Sequence, residues 1–124
     1  MNALFWKALF GLLAYDLLLA GSNFAKLHAT VHDWKTGRNR PPAIFVERVC
    51  EAMNTACAWY PKRALCLQRA AVTTYLLRSY GVPALMVLGA QKTPFKAHAW
   101  VEVDGLAINE NTDVRATYGV WERC

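Results

Sequence analysis

The chain has 124 residues with 14 Lys and Arg against 9 Asp and Glu, a net charge of +5, and 55% hydrophobic residues. That length supports one hydrophobic core and excludes a two-domain enzyme with separate cofactor and substrate modules. The basic residues are scattered singly, the densest group being Lys35, Arg38 and Arg40. No basic stripe with interleaved aromatic platforms runs along the chain, which argues against a nucleic-acid partner and leaves acidic or peptide partners open.

The apolar run Ala3 to Ala20 predicts a first helix, stopped at Gly21, where a left-handed residue ends helices readily. Lys7 and Asp16 interrupt it, and a charge at a bilayer centre costs about 3 kcal/mol. Residues 3–20 are therefore expected to be covered by the rest of the domain or by a partner protein. A signal or membrane-anchor role is the lesser alternative. A weaker helical stretch follows with Phe24, Leu27 and Val31 on one face. The polar, basic segment Thr36 to Pro42 then breaks the chain as a solvated loop. This break divides an N-terminal helical segment, 1–43, from a core, 44–124.

From Ile44 to about Tyr60 the apolar residues recur at helical spacing, and Pro61 closes the element. A short loop leads to Cys66, and Leu67 to Tyr80 reads as a strong helix ending at Gly81, with Arg78 in its last turn where a cation suits the helix dipole. Beyond Pro83 the period changes from helical to extended. Ala84 to Gly89 is a short strand, Gln91 to Ala97 a polar loop, and His98 to Val103 an alternating strand. Asp104-Gly105 is a strong hairpin signal, and Leu106 to Glu110 is the returning strand. Helices followed by three antiparallel strands make an α+β domain.

Four cysteines are present, Cys50, Cys57, Cys66 and Cys124. Without a loop-rich secreted pattern or a Cys-x-x-Cys pair they read as reduced thiols, one of them reactive. Cys66 stands where a helix begins, so free N–H groups and the helix dipole favour a thiolate there and can bind a developing oxyanion. A thiolate attacking a carbonyl needs a base or ion-pair partner, and His98 opens a strand that a packed sheet can bring near. Taken alone, Cys66 is equally a buried small hydrophobe and His98 a satisfied strand histidine. Trp100 and Glu102 share the His98 face by period-two alternation, and Trp100 either shields a site from water or fills core. Gln68 and Arg69 are ordinary polar residues of a first helical turn, though Arg69 can also tether a linker or a peptide carboxylate.

The run Tyr60-Pro61-Lys62-Arg63-Ala64-Leu65-Cys66-Leu67-Gln68-Arg69, then Gly81-Val82-Pro83, then His98-Ala99-Trp100-Val101-Glu102-Val103-Asp104-Gly105 resembles the lasso-peptide leader peptidase family over about residues 44–123. The N-terminal apolar helix and the Arg-Pro-Pro break are similar to that family's N-terminal part. The resemblance implies a transglutaminase-like, papain-related core with Cys66 as nucleophile and His98 as base. It also implies a cytoplasmic cysteine protease that removes the leader of a ribosomally made precursor peptide, without metal or organic cofactor. A separate leader-recognition protein and an ATP-dependent cyclase would be its partners.

The family pattern has Asn-Asp on the returning strand, and Asn109-Glu110 matches it with Glu in place of Asp. Glu110 is the expected third catalytic residue and Asn109 the alternative. A two-residue hairpin loop puts His98 on the face of Asn109 and Asn111, whereas a bulged loop puts Glu110 beside it.

Overall fold

The computed structural model describes residues 3–18, 24–37, 40–61, 66–92, 95–108 and 119–123. Four helices precede four strands: α1 (Ala3–Leu18), α2 (Phe24–Asp33), α3 (Ile44–Trp59), α4 (Cys66–Ser79), β1 (Ala84–Lys92), β2 (Phe95–Val103), β3 (Leu106–Ile108) and β4 (Gly119–Arg123). The strands form one antiparallel sheet in the order β3-β2-β1-β4, so the fold is α+β as expected.

Apart from Lys7 and Asp16, α1 carries apolar residues on both its buried and its outward faces. Phe5, Ala8 and Leu12, spaced three and four apart, are buried in the main core, and Trp6, Phe10, Leu13 and Leu17 point outward. Leu17 is 74% exposed. No helix among the described residues is long and apolar enough to cross a membrane.

α3 buries Val49, Ala52, Met53 and Ala56, again a single stripe. Its last turn closes through Tyr60, whose N–H reaches the Ala56 carbonyl while its backbone turns extended ahead of Pro61. α1 packs on α3 and α4, and α4 packs in turn on the sheet. This central position explains α4's composition. Ala70, Ala71, Thr73 and Thr74 are small because neighbours close on several sides, and Leu76 and Leu77 fill the gaps that remain.

The C-terminus of α4 is a Schellman motif. Gly81 has φ 98°, the Val82 N–H bonds the Leu77 carbonyl at 2.9 Å, and the Gly81 N–H bonds the Arg78 carbonyl at 3.1 Å. Arg78 itself is buried. Rather than simply facing its own helix dipole, its guanidinium donates to the carbonyls of Val31 (2.5 Å) and Trp34 (3.3 Å) at the end of α2, and of Ala84 (2.8 Å) at the start of β1. One cation thus ties three elements together at that corner.

In the sheet, β1 and β2 pair along their length from Ala84↔Val103 to Lys92↔Phe95. The polar loop expected at Gln91 to Ala97 is mostly strand. Met86, Leu88, Ala99 and Val101 join the helical core, and Val87 and Trp100 form a second cluster with Ala107. Asp104 and Gly105 make a two-residue turn with φ 54° and 79°, pairing Val103 with Leu106, so the unbulged alternative holds.

The Arg40 guanidinium bonds both carboxylate oxygens of Asp104 at 3.2 and 2.5 Å. The segment read as a solvated loop is exposed there, yet pinned to the hairpin, and the pairing holds the Asp104 carboxyl below the usual range. The sheet also has a fourth strand not foreseen: β4 pairs with β1 at the edge away from the hairpin. Its alternation is too short to stand out, and its pairing is between residues distant in sequence.

Candidate active site

Cys66 is the first residue of α4, in the opening turn whose N–H groups have no partner within the helix. Cys66, Arg69, Ala70 and Thr73 recur at three- and four-residue spacing and present one face of α4. That face lines a cleft of about 90 Å³ whose opposite wall is His98, Trp100 and Val101 from β2 and Ile108 from β3. The two residues singled out in the sequence therefore share one cleft, both of them part-buried. Glu110 and Asn109 lie outside the described residues.

Cys50, Cys57 and Cys66 are free thiols; Cys124 lies outside the described residues. The environments differ. Burial, with Glu47 and Glu51 nearby, pushes the Cys50 thiol up to about 11. Burial also raises Cys57, partly offset by the Arg69 guanidinium. Arg69 bonds the Asn54 side chain at 2.9 Å, so the cation at the cleft mouth is held by α3.

Two features of the site escaped the sequence. Gln68 is no ordinary first-turn polar residue: it is 3% exposed and donates to the Leu12 carbonyl of α1 at 2.9 Å. The Tyr60 hydroxyl donates to the Asp16 carboxylate and approaches the same Leu12 carbonyl at 3.3 Å. Burial and Asp16 together push Tyr60 up to about 12. The network clamps α1 onto the end of α3 and the start of α4, next to Cys66. Its sequence signal was Asp16, a carboxylate inside an apolar helix that needs a donor when buried.

The second feature is the setting of His98. Its ring stacks on Trp100 with centroids 5.9 Å apart and planes 24° apart. Trp100 is 1% exposed and donates its indole N–H to Glu102 Oε2 at 3.1 Å. Across the pair, His98 faces Gly89, where an added Cβ would stand 2.7 Å from the Trp100 ring. Period-two alternation predicted that these side chains share a face; the stacking and the glycine that makes room for it came from the pairing of β1 with β2.

A thiol at a helix N-terminus, an imidazole across a narrow cleft and oriented backbone N–H groups are the parts needed for acyl transfer through a thioester. No curated protein and no solved structure matches the chain. The family model described as the transglutaminase-like superfamily matches residues 9–123, nearly the whole chain including α4 and the sheet, and the protein belongs to that superfamily.

Proposed function

We propose that this protein is a cysteine peptidase that removes the leader segment from a ribosomally synthesised lasso precursor peptide. The observation that carries the proposal is the convergence of Cys66, at the start of α4, and His98, on β2, on one cleft in a transglutaminase-like domain. His98 takes the Cys66 proton. The thiolate attacks the scissile carbonyl, the N–H groups at the start of α4 hold the oxyanion, and His98 returns the proton to the leaving amine. Water activated by His98 then hydrolyses the thioester.

Glu110 or Asn109 would orient the imidazole. No cofactor enters the scheme. The working compartment is the cytoplasm, where the thiol stays reduced. A leader-recognition protein would deliver the substrate and an ATP-dependent cyclase would take the freed amine; the outward apolar stripe of α1 supports such docking.

The superfamily includes acyl transferases as well as proteases, and both run through the same thioester. Incubating a candidate precursor peptide with wild type and with Cys66→Ala, each with and without the recognition partner, tests the proposal. Cleavage should require Cys66; cleavage that persists in Cys66→Ala overturns it. Adding a primary amine and weighing the product separates hydrolysis from transfer. Iodoacetamide at neutral pH should label Cys66 ahead of Cys50 and Cys57, whose thiols burial disfavours as anions.

A further inference from the structure

We propose that Glu102 is a positioning residue for His98, acting through the indole of Trp100. The inference rests on the peptidase proposal for its consequence in catalysis, but its geometry is independent of it.

The indole lies along β2 between two neighbours on the same face. Its N–H edge meets Glu102 Oε2 at 3.1 Å, the ring system stacks on His98, and the six-membered ring fills the space that Gly89 leaves open. The other oxygen of Glu102, Oε1, accepts from Arg123 Nε of β4 at 3.2 Å. The two carboxylate oxygens thus do different things. Oε1 ties the group to the far strand, and Oε2 fixes the tilt of the indole. Glu102 is 3% exposed, and a buried carboxylate is retained only where it is paired and hydrogen-bonded.

At Gly89 of β1 the Trp100 ring already stands 2.7 Å from where a Cβ would be, so that approach is used. A plane held at both ends sets the plane stacked on it. The stacking therefore restricts the orientation of the imidazole of His98, a residue of the cleft wall, before any substrate arrives. Cys66 and Arg69 of α4 line the same cleft as His98, Glu102 lies on its own strand and face, and Arg123 of β4 bonds Glu102.

An imidazole displaced by an ångström loses proton transfer to the thiol while leaving the fold intact. Such misplacement costs up to about a hundredfold in rate. Glu102→Gln keeps an acceptor for the indole N–H and should stay near wild type. Glu102→Leu removes both contacts, and Trp100→Phe keeps a ring on His98 but removes the anchored N–H.

The test is carried out on the full chain. Proton NMR of the His98 ring reads its stacking as an upfield displacement from the indole ring current, and the pH profile of Cys66 alkylation by iodoacetamide reads the thiol–imidazole pairing. For Glu102→Leu we expect the His98 resonances to move toward the positions of an unstacked histidine. The acid limb of alkylation should move to higher pH, and peptide cleavage should fall by about tenfold or more, on the order of the misplacement penalty. Glu102→Gln should restore all three. If Glu102→Leu does not fold, Trp100→Phe carries the test, with the same directions and smaller displacements. A folded Glu102→Leu or Trp100→Phe protein with unchanged His98 resonances and an unchanged alkylation profile overturns the proposal. If wild type does not cleave peptide at all, the peptidase proposal fails, while the NMR arm still decides whether Glu102 sets His98.

Discussion

Arg78→Met tests whether a single buried cation holds the corner where α2, α4 and β1 meet. Its guanidinium serves at least three backbone carbonyls, at Val31, Trp34 and Ala84. A hydrogen bond to a charged donor contributes about 1.5–3 kcal/mol, and a buried carbonyl left without a donor costs about 1–3 kcal/mol. Against this stands the desolvation of the guanidinium, several kcal/mol, which methionine avoids. The balance for Arg78→Met is a loss of about 3 kcal/mol, a large part of the roughly 5–15 kcal/mol typical of a domain. Urea unfolding followed by circular dichroism measures it as a lower midpoint at unchanged slope. Arg78→Lys should recover only part, because an ammonium on a flexible stem does not span carbonyls arranged for a planar fork. Hydrogen exchange should show protection lost first in α2, whose terminal carbonyls lose their donor. An Arg78→Met protein within about 0.5 kcal/mol of wild type, the usual range of an inconsequential surface change, would refute the reasoning.

Three further outcomes follow from the same structure. Tyr60 is raised in the folded state from 10.0 to about 12, so the fold favours its neutral form; that stabilisation is complete below pH 10 and is lost as pH rises from 10 toward 12. Thermal unfolding across this range should fall more steeply for wild type than for Tyr60→Phe, and parallel curves would contradict the assignment. Thr74 Oγ1 is fully buried with no hydrogen-bond partner among the described residues, so the isosteric Thr74→Val should raise stability by about 1 kcal/mol in denaturant unfolding; a loss would mean the hydroxyl is satisfied. Gly81→Ala forces a Cβ into φ 98° and should cost about 1–2 kcal/mol, read as a lower unfolding midpoint, with an unchanged midpoint contradicting the strain.

What the chain's order of residues determined by itself was local. Pro61, Gly81 and Pro83 bound α3 and α4, apolar recurrence at helical spacing marked both as helices, and Asp104-Gly105 marked a tight hairpin, while the pairing of β2 with β3 decided that its loop has two residues. Cys66 at a helix start and His98 on an alternating strand were visible for the same reason. What only the tertiary structure decided depends on partners far away in sequence: β4 beside β1, Gln68 buried against Leu12, Arg123 on Glu102, and the closing of α4 against β2 that puts Cys66 and His98 on one cleft. Helix caps and turns are written in neighbouring residues, whose dihedral preferences act within a few positions. Strand order and the burial of a polar side chain are settled by packing of the whole chain, where one cavity, one glycine or one carbonyl finds its complement dozens of residues distant.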